Sequence, residues 1–225
     1  MGLRTHATDE ATLRRDVIEV CRQLHARGYL AAADGNVSAR LPGGELLVTP
    51  SGVPKAFLEP DELVRLGPDG TPRPGQGTPS GELPMHLAAL RARPDAQVVV
   101  HAHPPTAIAL SLHPSLVVDG VLPEVILSIG RLVVVPYARP LTDALAHGVA
   151  RALADVDAVI MARHGTVAVG ATLLEALAWT ERVEHACEVL WRAHGFGPPA
   201  ALPDDEVETL RRMYASARAA PRRVG

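Results

Sequence analysis

A chain of 225 residues with 47% hydrophobic and 21% charged side chains is long and apolar enough to bury a large core, which excludes an intrinsically disordered protein. Its formal net charge of −3 offers no electrostatic case for a nucleic-acid or membrane partner. No apolar run reaches transmembrane length, because Glu124 and Arg131 interrupt the most hydrophobic region. The polar, acid-bearing start MGLRTHATDEATLRR does not read as a signal peptide, and the tail PRRVG is the one short basic block. Cys21 and Cys187 both fall in helical patterns and read as core residues in a reducing compartment, so a cytoplasmic location is expected.

In chain order, residues 9–27 place Leu13, Val17, Val20, Cys21 and Leu24 on one helical face, and Gly28 suits the stop. NVSARL and ELLVTP alternate on either side of PGG, which predicts a β-hairpin. Residues 67–79 form a polar loop rich in Gly and Pro, of a length that is often functional. A helix opens between Ser80 and Pro84 and ends at Pro94. AQVVVHAH is a strand, and residues 142–153 are a short helix with Thr142 as its cap. DAVIMARHGTVAVG is two strands meeting at His164–Gly165. Thr172 and Glu175 form a capping box for a long helix that runs to about His194 and stops at Gly195. GFGPPAALP then links to a last helix, 203–219. The mixture predicts an α/β fold in which helices cover both faces of a mixed sheet. One domain spans 1–225, with 196–225 as linker and C-terminal helix.

His101 and His103 stand one residue apart at the end of an apolar strand, so their side chains leave the same face. Such a pair grips a metal ion or caps backbone groups at the strand end. Metal sites need three or four ligands. His164 ends a second apolar strand and Glu82 lies in the first turn of a helix, where its charge also suits the helix dipole. Read as a set, three histidines and a carboxylate make a Zn²⁺ site in which substrate could displace the acid. DGNVS (34–38), TPSG (49–52) and TPSG (78–81) expose backbone N–H groups, as an anion nest or as ordinary turns. The other seven histidines, His6, His25, His86, His113, His147, His185 and His194, read as structural or surface residues. Trp179 and Trp191 read as core or subunit contacts.

GNVSAR, VTPSG, PSGELPMH, VVHAHPPTA, VPYARP and MARHGTVAVG occur in the order found in class II sugar-phosphate aldolases. From about residue 10 to about 195 the chain resembles this superfamily, which includes L-fuculose-1-phosphate aldolase, ribulose-phosphate 4-epimerase and the adducin head. The resemblance implies a three-layer α/β/α fold with a largely antiparallel mixed sheet. It also implies a homotetramer with sites between subunits and a small sugar phosphate as substrate. It matches His101, His103 and His164 to the zinc histidines, and Glu82 to a metal-binding acid that shuttles a proton. Gly35, Asn36, Ser51, Gly52, Ser80 and Gly81 match the phosphate loops. The implied reaction cleaves a ketose 1-phosphate to dihydroxyacetone phosphate and a short aldehyde through a metal-stabilised enediolate. Zn²⁺ is the expected metal, although three histidines also accept Mn²⁺, Co²⁺ or Fe²⁺.

The chain departs from the family pattern in three places. Ser80-Gly81-Glu82 lacks the second serine of Ser-Ser-Glu, and Arg163 stands where Asn commonly precedes the last histidine. LPEVILSIG holds no tyrosine where the fuculose-phosphate enzymes place an acid from a neighbouring subunit, so Glu124 is the candidate second acid. Tyr137 is expected to pack structurally. Lys55, the one lysine among 22 Lys and Arg residues, makes a Schiff-base route unfavoured. A 4-epimerase, dehydratase or decarboxylase on the same fold is the alternative. A non-catalytic adducin-like protein is the reading from another class, against which the intact metal set argues.

Overall fold

The computed structural model describes residues 9–219, so His6 and the PRRVG tail lie outside the described residues. Val98–Ala102 forms β4, the middle strand of a seven-stranded sheet. Around it lie β1 (Asn36–Arg40), β2 (Leu46–Val48), β3 (Val64–Leu66), β5 (Val134–Val135), β6 (Ala158–Met161) and β7 (Gly165–Gly170). Their order is β3-β2-β1-β4-β7-β6-β5. Every neighbouring pair is antiparallel except β5 and β6, which gives the mixed, largely antiparallel sheet that was expected.

Alternation along the strands sorts the two layers. Val99, Val159, Met161, Val167 and Val169 face α2 (Leu83–Ala92) and α5 (Asp143–Leu153). Val98, Val100 and Ala102 face α1 (Glu10–Ala26) and the start of α6 (Leu173–His194). Ala158, Ile160 and Ala168 pack under the rest of α6, α3 (Pro105–Ser111) and α4 (Pro123–Ile129). His101 shares the parity of Val99, so it emerges on the α2 side of the sheet. A one-residue slip of β4 would send it to the other layer. Each buried valine contributes roughly 1.5–3 kcal/mol, and together they hold the register that aims the imidazole.

Asp9 caps α1, accepting from Thr12 N at 2.8 Å, and the expected Thr142 caps α5. Thr172 accepts from Glu175 N at 3.1 Å, while Glu175 reaches back to Ala171 N at 2.8 Å, one residue beyond the usual box. Two short helices, α3 and α4, were not anticipated, because seven residues carry too few turns to display a periodic face. The C-terminal helix α7 (Asp204–Ala219) packs Val207 and Leu210 on Ile126. It is pinned by Tyr214, which donates to Asp157 at 2.9 Å, and Asp157 pairs with buried Arg93 at 2.7 Å. Among the described residues no helix is long and apolar enough to cross a membrane.

Candidate metal centre and active site

Glu82 sits one residue earlier than a first-turn acid: it is the N-cap of α2, and its side chain does not cap the helix. Instead Oε2 lies 3.1 Å from His101 Nε2, and Oε1 lies 3.3 Å from His164 Nε2. His164 arrives on the turn between β6 and β7. The three imidazoles pack with ring centroids 4.8–5.2 Å apart. One nitrogen from each of His101, His103 and His164 lies within 4.8 Å of the others. The four residues singled out by spacing and motif order therefore meet in one place.

Two glycines permit this approach. A Cβ on Gly165 would lie 2.3 Å from Ala102 O and 2.9 Å from the His103 ring. Gly35 has φ +68°, and a Cβ there would stand 2.8 Å from His101 O.

The hydrogen bonds fix which ring atoms face inward. His101 Nδ1 donates to Thr166 O at 2.9 Å, so Nε2 presents a lone pair to the centre. Asp34 Oδ2 is 3.4 Å from His103 Nδ1 and favours the same tautomer. Yet the two Nε2 atoms approach to 3.0 Å. Two lone pairs at that distance repel unless a proton or a cation lies between them. Glu82 Oε1 and His164 Nδ1 are buried without a hydrogen-bond partner. Three inward-facing imidazoles and an unsatisfied carboxylate oxygen suit a divalent cation.

Electrostatics point the same way. Burial pushes the His103 pKa down to about 4, helped by His101 and His164, and burial also lowers that of His164. Neutral imidazoles are the form that binds metal. Burial alone would raise the Glu82 pKa. The adjoining His101 ring and the hydrogen bond from Asn36 override it and hold the carboxyl well below the usual range.

His86, read as an ordinary helical histidine, proves to be part of this site. It is fully buried, and its Nε2 donates to Asn36 Oδ1 at 2.5 Å while its Nδ1 accepts from Ser38 Oγ at 2.7 Å. Asn36 in turn donates to Glu82 Oε2 at 2.8 Å. Burial drives the His86 pKa down to about 3, so this link is neutral. The signal available in the sequence was its i+4 spacing from Glu82, which places both on one face of α2.

A cavity of about 270 Å³ opens beside the centre. Gly35, Asn36, Ser51, Gly52 and Ser80 line it, together with Glu82, His103 and His164. The two TPSG loops run side by side, with Ser51 N bonding Thr78 O at 3.0 Å and Ser80 N bonding Thr49 O at 3.1 Å. Gly81 is not among the lining residues: Leu141 Cδ2 would lie 3.2 Å from a Cβ placed on it. Leu141 and Pro140 form that wall, and Leu141 holds a strained φ of +64°. Lys55 and Asp34, the first residue of the DGNVS loop, also line the cavity.

Three residues singled out in the sequence prove exposed in the single chain. Glu124 projects into solvent from the first turn of α4, outside the cavity lining. Tyr137 does not pack structurally but is 61% exposed, because VPYARP is a surface connection from β5 to α5. Trp191 is likewise exposed, so it is no core residue of the single chain.

The family model of the class II aldolase and adducin N-terminal domain matches residues 15–191. The chain belongs to this family. A 3-oxo-tetronate 4-phosphate decarboxylase of Escherichia coli K12 is 34% identical over 206 residues, spanning 90% of this chain and 96% of that protein. A 5-methylthioribulose-1-phosphate/5-deoxyribulose-1-phosphate aldolase of Rhodospirillum rubrum is 33% identical over 90% of both chains. The crystal structure of L-fuculose-1-phosphate aldolase from Thermus thermophilus superposes with a TM-score of 0.72 at 32% identity, covering 84% of this chain and 98% of that one. Arg163 stands in the turn between β6 and β7. That residue has φ +64°, a left-handed conformation that Asn adopts more readily than Arg.

Proposed function

We propose that this class II aldolase-family chain is a metal-dependent lyase that decarboxylates a 3-oxo sugar-acid 4-phosphate to dihydroxyacetone phosphate. The observation that carries this reading is a cluster of three histidines, two of them in contact with the carboxylate of Glu82, in a chain 34% identical to such a decarboxylase. Zinc is the metal we assign, since three imidazoles and one carboxylate match its preferred donors. We also assign a cytoplasmic homotetramer, in which exposed Phe57, Trp191 and Phe196 supply apolar surface for subunits to cover.

The chemistry needs one proton carrier. The C1–C2 bond breaks, carbon dioxide leaves, and its electron pair passes into an enediolate over C2 and C3. When bound, the divalent cation acts as a Lewis acid toward the charge on the substrate oxygens. His101, His103 and His164 would hold it. His86 fixes Asn36, and Asn36 orients Glu82. A carboxylate that accepts from Asn36 beside His101 is a weak base; turned away from them it gains basicity, so it can take up a proton and deliver it to C2. Gly35, Ser51, Gly52 and Ser80 receive the phosphate, and Leu141 and Pro140 shield the reacting carbons from water.

Aldol cleavage of a ketose 1-phosphate yields the same enediolate, so it is the second reading, favoured by the 33% identity to the Rhodospirillum aldolase. It requires in addition a base for the substrate hydroxyl, a role that falls to Glu124 of a neighbouring subunit. Epimerisation or dehydration would use the same metal set. The test supplies zinc-loaded protein with 3-oxo-tetronate 4-phosphate and, separately, with 5-deoxyribulose 1-phosphate. Carbon dioxide and dihydroxyacetone phosphate in equal amounts from the first substrate are expected. Triose phosphate from the second substrate alone would replace decarboxylation with aldol cleavage.

A further inference from the structure

Lys55 is a buried cation to which the metal chemistry assigns no task. It is the only lysine in the chain, and it is 3% exposed. It opens a 3₁₀ turn, Lys55–Phe57, just beyond Ser51 and Gly52. Its Nζ donates to Ala33 O at 2.9 Å and to Val53 O at 2.7 Å. These carbonyls belong to the two loops that carry Gly35–Asn36 and Ser51–Gly52, so one ammonium ties both loops together.

Two bonds use two of its three donors and leave one N–H. Lys55 lines the cavity beside Glu82. Among the described residues no carboxylate lies within ion-pair distance of Nζ. The nearby Cys21 thiol has its pKa pushed up to about 12 by burial and supplies no thiolate. Asp34 and Glu82 act on it only through their fields and leave the buried ammonium without a direct ion pair, so an entering anion recovers more of the cost of burial. An arginine, planar and larger, would not offer the same compact three-donor charge between two backbone loops.

We propose that Lys55 is the specificity-determining cation of this site, pairing through its third N–H with the phosphate monoester of the substrate. The assignment rests on the phosphorylated substrate of the proposed function. It also accounts for Gly81, which offers no hydroxyl. Recognition then depends on charge at Lys55 where a second serine is lacking.

Because Lys55 is the only lysine, its ε-methylene gives a single lysine side-chain signal in protein labelled with ¹³C-lysine. The zinc-loaded protein is titrated with inorganic phosphate and, separately, with glycolate, following that signal and the heat of binding. A saturable shift with phosphate, at the affinity read by calorimetry, is expected, together with a weakening of at least tenfold in Lys55→Gln. That variant keeps amide donors for the two loops but removes the charge, and unchanged metal content reports an intact centre. Phosphate binding that leaves the Lys55 signal unmoved would overturn the role of Lys55 while the phosphorylated substrate stands. A Lys55 signal that responds to glycolate and not to phosphate would assign the cation to a carboxylate instead. If the protein turns over a phosphorylated substrate and Lys55 responds to neither anion, the inference alone is wrong. Should Lys55→Gln not fold, the titration of the unaltered protein decides the matter.

Discussion

Replacing His86 with Leu tests the buried link that orients Glu82. The substitution leaves the Ser38 hydroxyl and the Asn36 carbonyl without the partner each now has at 2.7 and 2.5 Å. Each unsatisfied buried group costs about 1–3 kcal/mol, so a loss of about 2–6 kcal/mol is expected at pH 8. The pH dependence has a definite sign. The His86 pKa falls from 6.5 to about 3 on folding. Below pH 6.5 the unfolded chain therefore takes up a proton that the folded chain refuses. The wild type loses about 1.4 kcal/mol per pH unit from this group as pH falls toward 3, or about 2 kcal/mol by pH 5. His86→Leu lacks this contribution, while all other titrating groups are shared. The stability gap between the two proteins should therefore narrow by about 2 kcal/mol between pH 8 and pH 5. Urea denaturation of both proteins at the two pH values measures it. A gap that stays constant or widens at pH 5 would show that His86 is not held neutral by burial.

Glu82→Gln should keep the fold and lose about 10²–10⁴ in turnover in a triose-phosphate-coupled assay, whereas full activity would remove Glu82 from the chemistry. Elemental analysis should find about one divalent ion per chain, lost together with activity on chelation. Gly81→Ser brings a Cβ to 3.2 Å from the exposed Leu141 side chain, which must give slightly, and should cost no more than about 0.5 kcal/mol in thermal denaturation. Adding Leu141→Ala should recover part of that loss, and strict additivity would mean that the two positions do not touch. Arg163→Asn relieves a left-handed φ and should stabilise by about 0.5–1 kcal/mol in urea, with destabilisation contradicting the strain account.

Local patterns written along the chain determined much of this protein. Alternation placed His101 and His103 on one face of β4, and helix periodicity and caps located α1, α5 and α6 within a residue or two. Motif order supplied Glu82 and His164. These features were legible because a strand repeats every two residues and a helix every 3.6, so a side chain's face follows from its neighbours in sequence. Partners distant along the chain were not legible. His86 acquires its role from Ser38 and Asn36, 48 and 50 residues away on β1. Lys55 joins two loops, and Leu141 approaches Gly81 from the β5–α5 connection. Tyr137 and Trp191 carry apolar bulk that composition assigns to a core, yet the chain turns both outward. Periodicity specifies the direction of a side chain from its own element. What stands in that direction is set by the packing of helices and loops across the sheet, and here that packing decided which buried polar groups are satisfied and which face the cavity.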